Sequence, residues 1–271
     1  SLWPNYEMLY EHIVNIESLR CIELSELLEQ SGDSLANMEK YLLKFRELKD
    51  ILAKSTYPLK KQPLFQWHDR NSASWCFEEQ RILNSLHAML MSEAKKYFDK
   101  AEYSTAKNHL VRAVSVCKDM LQDWVKTPYI RGMPELQKPY ILALLFRTMG
   151  TRCFNAHMNL TSPKVALMAY QYVELSNRLW KLGAIPEYEN KLKAHYHHAV
   201  ASTSEDFKEK ISHSIEAVQI FDDATMLKDH EDLLQRNNSV HYETPEPVHV
   251  PLFSLEQACA YVFKVKGESK E

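Results

Sequence analysis

Glycine is scarce in this sequence, which has five glycines in 271 residues. Glycine-rich phosphate-binding loops and β-sheet proteins with many tight turns need more, and neither GxGxxG nor GxxxxGKS/T occurs. Long apolar runs are also missing, since none approaches the roughly 18 residues typical of a membrane span. The net charge of −3 provides no overall field that would attract nucleic acid or an acidic membrane. These absences argue against a phosphate-loop enzyme and against a nucleic-acid-binding protein.

Cysteine is present but never in a CxxC pair; the five positions are Cys21, Cys76, Cys117, Cys153 and Cys259. Each lies among apolar residues with helical spacing, which predicts reduced, buried thiols. The first residues, SLWPNYEMLY, have neither the basic start nor the cleavage site of a signal peptide. The expected localisation is cytoplasmic, with recruitment to endosomal or other membranes through partners.

The main positive signal is a helical period of apolar residues along most of the chain. Predicted helices cover, in order, about 6–30, 34–54, 73–99, 103–126, 134–160, 162–182, 186–202, 206–236 and 254–264. Between 94 and 113, small alanines alternate with large apolar residues, as in tetratricopeptide helix pairs, although no clean 34-residue repeat occurs. The predicted fold class is all-α. The predicted architecture is an elongated helical solenoid with a TPR-like central helix pair and an extended, proline-rich C-terminal segment.

These elements predict a single domain over residues 1–271. An N-terminal helical hairpin is expected over 1–55, a loop over 56–72 and the solenoid body over 73–236. An extended segment and a short terminal helix are expected over 237–271. Five apolar side chains of the segment should lie back along the helical body: Val240, Tyr242, Val248, Val250 and Leu252. Prolines in that segment prevent both a helix and a central strand.

The histidine and carboxylate clusters do not form a catalytic or metal-binding pattern. His195 and His198 share a helix face, as a metal pair could, but they supply only two ligands. Solvated or capping roles are expected for them, and a histidine-based metalloenzyme is the third alternative for the function. The adjacent carboxylates Glu78-Glu79, Asp222-Asp223 and Glu231-Asp232 point in different directions on a helix and are expected to be solvated. The chain is expected not to be an enzyme and to use no cofactor or metal.

An aromatic loop precedes the third predicted helix, in the stretch PLFQWHDRNSASWCFEEQRILNS. Phe65 and Trp67 are two residues apart, so in an extended loop they point the same way and can pack under the helices. Asp69 can accept backbone N–H bonds at the start of the helix that follows. Phe77 is expected to be buried, beside a first-turn carboxylate, Glu78, that the helix dipole favours.

The order of these motifs resembles the Bro domain family, the boomerang-shaped helical domain of the Alix, Brox and yeast Bro type. The matching positions are Phe65, Trp67, Asp69, Phe77, Glu78, Ile82 and Leu83, and later Asn237, Asn238, Val240, His241, Tyr242, Glu243 and Pro245. The general order of elements agrees over about 6–262. The chain departs from the family pattern at Asn84 and Ser85 and in the order His241-Tyr242. It is expected to be a short, divergent member that lacks the family's N-terminal β-hairpin segment.

The resemblance implies a binding surface on the middle helices. In the Bro family a concave hydrophobic patch receives an amphipathic C-terminal helix of an ESCRT-III subunit, a helix-in-groove mode. By similarity the nearest candidates are Phe154, Met168 and Tyr172, and a shift of one position would place Leu167 instead of Met168. Apolar residues between 165 and 180 cover nearly all sides of a helix, so complete burial of this helix is the structural alternative.

The expected function is therefore that of a non-enzymatic adaptor in endosomal sorting or membrane remodelling. The expected partner is a protein, the C-terminal helix of an ESCRT-III-type subunit, and no nucleic acid. The alternative is a divergent Bro-like scaffold that has lost this contact and serves another cytosolic complex.

Overall fold

The computed structural model describes residues 34–54, 65–67, 70–72, 75–124, 137–182, 186–220, 224–238 and 248–263. The chain divides into two compact units. The first consists of Ser1–Glu93 with Ser115–Ile141, and the second of Ala94–Val114 with Leu142–Glu271. Within the described ranges, no helix has the length and apolar character needed to cross a membrane.

Helix α1 (Ser34–Lys54) forms one wall of the first unit's core. Its buried face repeats with helical spacing and consists of Met38, Tyr41, Leu42, Phe45 and Leu48. Most other buried apolar residues of this unit lie on helix α2 (Trp75–Asp99) and on the last turns of helix α3 (Tyr103–Trp124). They include Phe77, Ile82, Leu83, Leu90 and Met120. The amide of Gln80 on α2 donates to the carbonyl oxygen of Met120 on α3 over 3.0 Å, which satisfies part of a buried polar side chain.

A short antiparallel pair of strands lies between α1 and α2. Strand β1 (Phe65–Trp67) pairs with strand β2 (Arg70–Ser72), with Phe65 opposite Ser72 and Trp67 opposite Arg70. The sequence predicted a loop over the whole of 56–72, and the paired strands show that this prediction was wrong for part of it. Three residues are too few for an alternating apolar pattern to become visible, and Arg70-Asn71-Ser72 carries no β-branched apolar or aromatic residue.

A tight turn joins α2 to α3. The N–H of Glu102 donates to the carbonyl of Tyr97 over 2.9 Å, and the N–H of Ala101 donates to the carbonyl of Phe98 over 2.9 Å. These two bonds define a Schellman motif, whose penultimate residue takes the left-handed conformation that glycine favours. Here that residue is Ala101, with a φ of 59°. The turn thus reverses the chain at the cost of placing a Cβ in an unfavourable conformation.

Helices of the second unit pack in sequence order. They are α4 (Lys138–Asn159), α5 (Pro163–Leu179), α6 (Pro186–Thr203), α7 (Phe207–Ile220) and α8 (Ala224–Asn238). Each of α5, α6 and α7 packs against the helix that follows it. Pro163 and Pro186 begin their helices, where a missing N–H leaves no hydrogen bond unmade. After residues 248–254, the short helix α9 (Leu255–Val262) begins with a capping box between Ser254 and Gln257.

Helices α4 and α5 approach closely at Gly150. A Cβ built on Gly150 would lie 2.6 Å from Cγ2 of Val173 and 3.0 Å from the carbonyl oxygen of Ala169. A hydrogen bond also joins α4 and α5, in which the hydroxyl of Ser176 donates to the carbonyl of Ala143 over 2.6 Å. The absence of a side chain at position 150 is therefore what permits the crossing distance.

The all-α class and the sequential packing of helices agree with the sequence-based prediction. The predicted helix over 34–54 matches α1, and most other bounds differ by a few residues. The single helix predicted over 206–236 is wrong, because α7 ends at Ile220 and α8 begins at Ala224. Two aspartates directly before Ala224 favour a new helix start over helix continuation. The helix predicted over 6–30 lies outside the described residues, and the single-domain interpretation stays a prediction.

Candidate functional site

Phe154, one of the implied binding residues, is buried on α4 with 4% of its surface exposed. It belongs to a core cluster with Ala169, Val173 and Leu192. Its ring centroid lies 5.7 Å from that of Phe98 and 5.0 Å from that of His195. The expectation that Phe154 presents an exposed side chain is therefore wrong, because α5 and α6 pack directly over it.

Tyr172, the second implied residue, is fully buried on α5. Its ring lies between Phe146 of α4, at 6.1 Å between centroids, and Phe253 of the C-terminal segment, at 5.0 Å. Burial raises the pKa of its phenol well above the usual value. The resemblance implied exposure of this position, and the apolar pattern of the helix left burial open as the alternative. The burial has a long-range cause, because a residue far along the chain covers this position.

Leu167 and Met168, the two alternatives for the third position, are half-buried on α5. Leu167 lines a cavity of about 360 Å³ formed by residues of α5, α6 and α7. The full lining is Pro163, Lys164, Leu167, Tyr196, Val200, Thr203, Ser204 and Glu209. Of the four implied side chains, Leu167 is the one that lies at this open cavity. Tyr172, one helical turn beyond Met168, lies in the core.

The C-terminal segment lies on α5 and α7, as the sequence predicted for Val250. The amide of Gln171 donates to the carbonyl of Pro251 over 2.7 Å, and the guanidinium of Arg178 donates to the carbonyl of Phe253 over 2.6 Å. The backbone N–H of Val248 donates to the carboxylate of Glu216 on α7 over 3.2 Å. These polar side chains were not singled out in the sequence, because nothing local marks Gln171 or Arg178 as a partner of a segment about 80 residues away.

The outer side of this segment is apolar. Val250, Ala258 and Val262 are buried, whereas Leu252, Leu255, Tyr261 and Phe263 are among the exposed large apolar side chains of the described residues. Burial of Leu252 was predicted and is wrong, since 48% of its surface is exposed. In a straight extended backbone, successive side chains point to opposite faces, so Val250 and Leu252 would share a face. Pro251 lies between them, and its fixed φ disturbs this regular alternation. The helix α9 that follows buries only its Ala258 and Val262 side.

Histidine pairing is the main feature that the sequence did not reveal. His195 is 5% exposed and packs edge-on against Phe154, with His157 beside it at 5.7 Å between ring centroids. The solvated role expected for His195 is therefore wrong. His198 does not join it in a metal pair, because Nδ1 of His198 is hydrogen-bonded to Nε2 of His230 on α8 over 3.0 Å.

A second pair involves the neighbouring residue of α6. Nδ1 of His197 lies 3.0 Å from Nδ1 of His213 on α7. His197 is fully buried, and burial lowers its pKa to about 3, helped by the nearby charges of His213 and Lys193. The sequence did hold a signal that could have found these pairs, since histidines recur on three consecutive helices with a spacing of 16 residues between His197 and His213.

Ser214 completes a chain of hydrogen bonds, with its Oγ 3.0 Å from Nδ1 of His230. Serine next to histidine is the arrangement of a nucleophile and its base. Here Ser214 is fully buried and His230 is 3% exposed, so no substrate atom can reach the hydroxyl in this conformation. The chain from the half-buried His198 through His230 to Ser214 is therefore a structural network.

The adjacent carboxylates of α2 are buried in the first unit, and the expectation that they are solvated is wrong. Glu78 accepts a hydrogen bond from the hydroxyl of Tyr41, and Glu79 accepts hydrogen bonds from Lys49 and, over 2.8 Å, from Arg46. Burial disfavours the charge of Glu79, but the hydrogen bonds and charges of Lys49 and Arg46 outweigh it and hold its pKa below the usual value. Glu231 and Asp232 are exposed as expected, and Asp222 and Asp223 lie outside the described residues.

The other chemical candidates give no reactive centre among the described residues. Burial raises the pKa of the Cys153 thiol to about 11, against the opposing charge of Arg152, so the thiolate that would react is disfavoured. The four described cysteines are free thiols. Within the described ranges, no group of three or more potential metal-ligating side chains comes together.

The motif residues that carry the resemblance are partly described. Phe77, Ile82 and Leu83 are fully buried, and Glu78 lies in the first turn of α2, as predicted. The side chains of Phe65, Trp67 and Asp69 lie outside the described residues, as does the motif from Val240 to Pro245. Comparison with protein-family models, with curated proteins and with solved structures gives no match. Membership of the Bro domain family therefore stays a prediction.

Proposed function

We propose that this chain is a non-enzymatic adaptor that binds an amphipathic helix of an ESCRT-III-type subunit, in endosomal sorting or membrane remodelling. The observation that supports the proposal is the cavity beside Leu167, in the region that the motif resemblance implies. A cavity of about 360 Å³ is large enough for one or two apolar side chains of a partner helix. The contact residues proposed are Leu167 and Met168, whereas Phe154 and Tyr172 are buried.

The lining of the cavity suits an amphipathic partner. Leu167, Tyr196 and Val200 provide apolar and aromatic surface, while Lys164 and Glu209 bring one charge of each sign to the lining. An amphipathic helix would insert an apolar anchor and keep its charged flanks near Lys164 and Glu209. The free energy of binding would then come mainly from the anchor, as is usual for a central hot spot.

Binding of labelled peptides tests this proposal. Fluorescein-labelled peptides of ESCRT-III C-terminal helices would be titrated with the chain and followed by fluorescence anisotropy. Met168→Asp and Leu167→Asp should each weaken binding by at least about tenfold, which is a loss of roughly 1.4 kcal/mol or more. Because the side chains of Leu167 and Met168 are half-buried, the melting temperatures of the two variants should be only modestly lower than that of the parent chain.

Leu160→Asp is the matched control, because Leu160 is 73% exposed in the turn before α5 and does not line the cavity. It should leave both affinity and melting temperature unchanged. Unfolding of Met168→Asp would show that Met168 is a core residue. Equal affinity of the parent, Leu167→Asp and Met168→Asp would contradict the proposed surface.

A divergent scaffold that has lost the ESCRT-III contact is the second candidate. The observation that favours it is the burial of Phe154 and Tyr172, two of the side chains that the resemblance implies, with Tyr172 covered by Phe253. No binding of any ESCRT-III peptide to a folded parent chain would support this alternative.

A further inference from the structure

Four imidazoles and one hydroxyl connect three consecutive helices of the second unit. His197 and His198 are neighbours on α6, so they point about 100° apart and reach different helices. His197 meets His213 on α7, and His198 meets His230 on α8. Ser214 of α7 meets His230 of α8. We call this set, His197, His198, His213, His230 and Ser214, the histidine bridge.

The hydrogen bonds of the bridge limit how many protons each pair of imidazoles can hold. A nitrogen–nitrogen distance of 3.0 Å is a hydrogen bond only if one nitrogen carries a proton and the other does not. In each pair, one ring donates and the other accepts. If the accepting ring takes up a proton at its facing nitrogen, two N–H groups oppose each other and the bond is lost. Each pair can therefore hold two neutral rings, or one charged ring that donates to a neutral ring, but not two charged rings.

A charge in the pair of His197 and His213 is costly, because it requires a proton on Nε2 of His197 whichever of the two rings is charged. This Nε2 is buried and has no hydrogen-bond partner among the described residues. When His197 donates through Nδ1, Nε2 carries only a lone pair. If a protonated His213 were to donate instead, neutral His197 would have to carry its proton on Nε2, where an unpaired N–H is costly. The ring of Tyr196 packs against both rings of the pair, at 5.2 Å from His197 and 5.5 Å from His213.

The charged groups that face the bridge act in both directions. On α6, Lys193 disfavours a positive charge on His197. On α7, Glu209 and Glu216 favour a charge on His213, and on α8 Asp229 favours a charge on His198 and His230.

From α4, His157 lies within electrostatic range of His198, and a charge on one disfavours a charge on the other. Burial is the largest influence on all four bridge histidines and lowers the pKa of each. The carboxylates of Glu209, Glu216 and Asp229 are therefore insufficient to keep the imidazoles charged in the packed state. Once the imidazoles become hydrated, these carboxylates favour the positive charge.

We propose that the histidine bridge is a proton-sensitive latch, which holds α6, α7 and α8 together at neutral pH and releases them under mildly acidic conditions. The packed bridge binds fewer protons than the opened one, because an exposed histidine titrates near pH 6.5. The bridge therefore contributes stability that is fully present above about pH 6.5 and is lost as the pH falls toward the lowered values of the packed state. This inference does not depend on the identity of any partner.

Hydrogen–deuterium exchange of the full chain at pH 7.5 and pH 5.5, corrected for intrinsic exchange rates, tests the latch. Each imidazole that takes up a proton only on opening should increase the opening equilibrium by about tenfold between these two pH values. Peptides of α6, α7 and α8 should lose protection accordingly, and peptides of α1, which has no histidine, should change less. Equal changes in all peptides, or none in α6–α8, would overturn the proposal.

A double variant and a control make the assignment specific. His197→Asn with His213→Asn replaces one pair by amides that can hydrogen-bond through the same positions but do not titrate. It should reduce the pH-dependent loss of protection in α6 and α7 by about tenfold or more. His249→Asn, at an exposed histidine outside the bridge, should leave that loss unchanged.

Two further outcomes would count against the latch. An undiminished pH response in the folded double variant would overturn it, because the pair of His197 and His213 would then contribute nothing to that response. Loss of protection in α6–α8 when a chelator is added to the wild-type chain at pH 7.5 would overturn it in favour of a metal-linked site. If the double variant does not fold, the wild-type comparison of α6–α8 with α1 still decides.

Discussion

Gly150→Ala tests whether the crossing of α4 and α5 depends on the missing side chain. An alanine Cβ at this position would lie 2.6 Å from Cγ2 of Val173, closer than real Cβ contacts allow. Val173 is itself buried, so its side chain has little room to move away. A second neighbour, the carbonyl oxygen of Ala169 at 3.0 Å, belongs to the backbone of α5 and can move only if the helix moves.

Two opposing contributions set the magnitude. Alanine in place of glycine inside a helix stabilises it by about 1 kcal/mol. Overpacking of a buried contact costs about 1–3 kcal/mol, and the backbone neighbour places this case toward the upper end. The net expectation is a loss of about 1–2 kcal/mol in the free energy of unfolding. For a chain of this size, that corresponds to a fall of roughly 2–8 °C in the melting temperature.

Chemical denaturation of the single and double variants measures the contact directly. Val173→Ala alone should destabilise the chain by about 1–3 kcal/mol, because it removes buried methyl groups. The double variant Gly150→Ala with Val173→Ala should be at least about 1 kcal/mol more stable than the sum of the single effects predicts, because the closest contact is gone. A stabilising Gly150→Ala, or strictly additive effects, would refute the steric argument.

Two other substitutions test features of the two units. Ala101→Gly should raise the free energy of unfolding by about 1 kcal/mol, because glycine adopts the left-handed conformation of the α2–α3 turn without a Cβ penalty; an unchanged melting temperature would show that the turn carries no strain. Glu79→Gln should lower the free energy of unfolding by about 1–2 kcal/mol at pH 7, because Arg46 and Lys49 lose a buried counter-charge but remain partly exposed to water. Since the pKa of Glu79 is lowered on folding, its charge stabilises the native state above the ordinary glutamate value of about 4.3, and the difference between variant and wild type should shrink as the pH falls below it. A difference that stays constant down to pH 3 would contradict this role for the charge.

The helical period of apolar residues was sufficient to predict most helices, because an amphipathic helix buries its apolar face against the core. Met38, Tyr41, Phe45 and Leu48 are all buried along α1, and they recur with helical spacing. The end of α7 was missed because the apolar period continues across the break, and only the polar capping signal differs. The β pair was missed because its second strand is specified by the hydrogen bonds of the first and not by its own residues.

Burial of polar residues could not be predicted from local sequence. Glu78 and Glu79 looked like a solvated pair, because adjacent carboxylates usually face water. Their partners Tyr41, Arg46 and Lys49 lie on a different helix, and only the packing of α1 on α2 brings them together. The same limit applies to the candidate surface: the sequence of α5 shows apolar residues on nearly all sides, and only the position of Phe253 decides that Tyr172 is covered.

Residues 248–253 attach to α5 in two ways, through hydrogen bonds to their main-chain carbonyls and through contacts of their side chains. Gln171 and Arg178 donate to main-chain carbonyls, which every amino acid carries. Substitutions along the segment therefore leave these bonds in place, and selectivity rests on side chains such as Phe253, whose ring meets Tyr172. A peptide of unrelated sequence with an aromatic residue at the position of Phe253 would meet the same donors in the same order, without any change in α5.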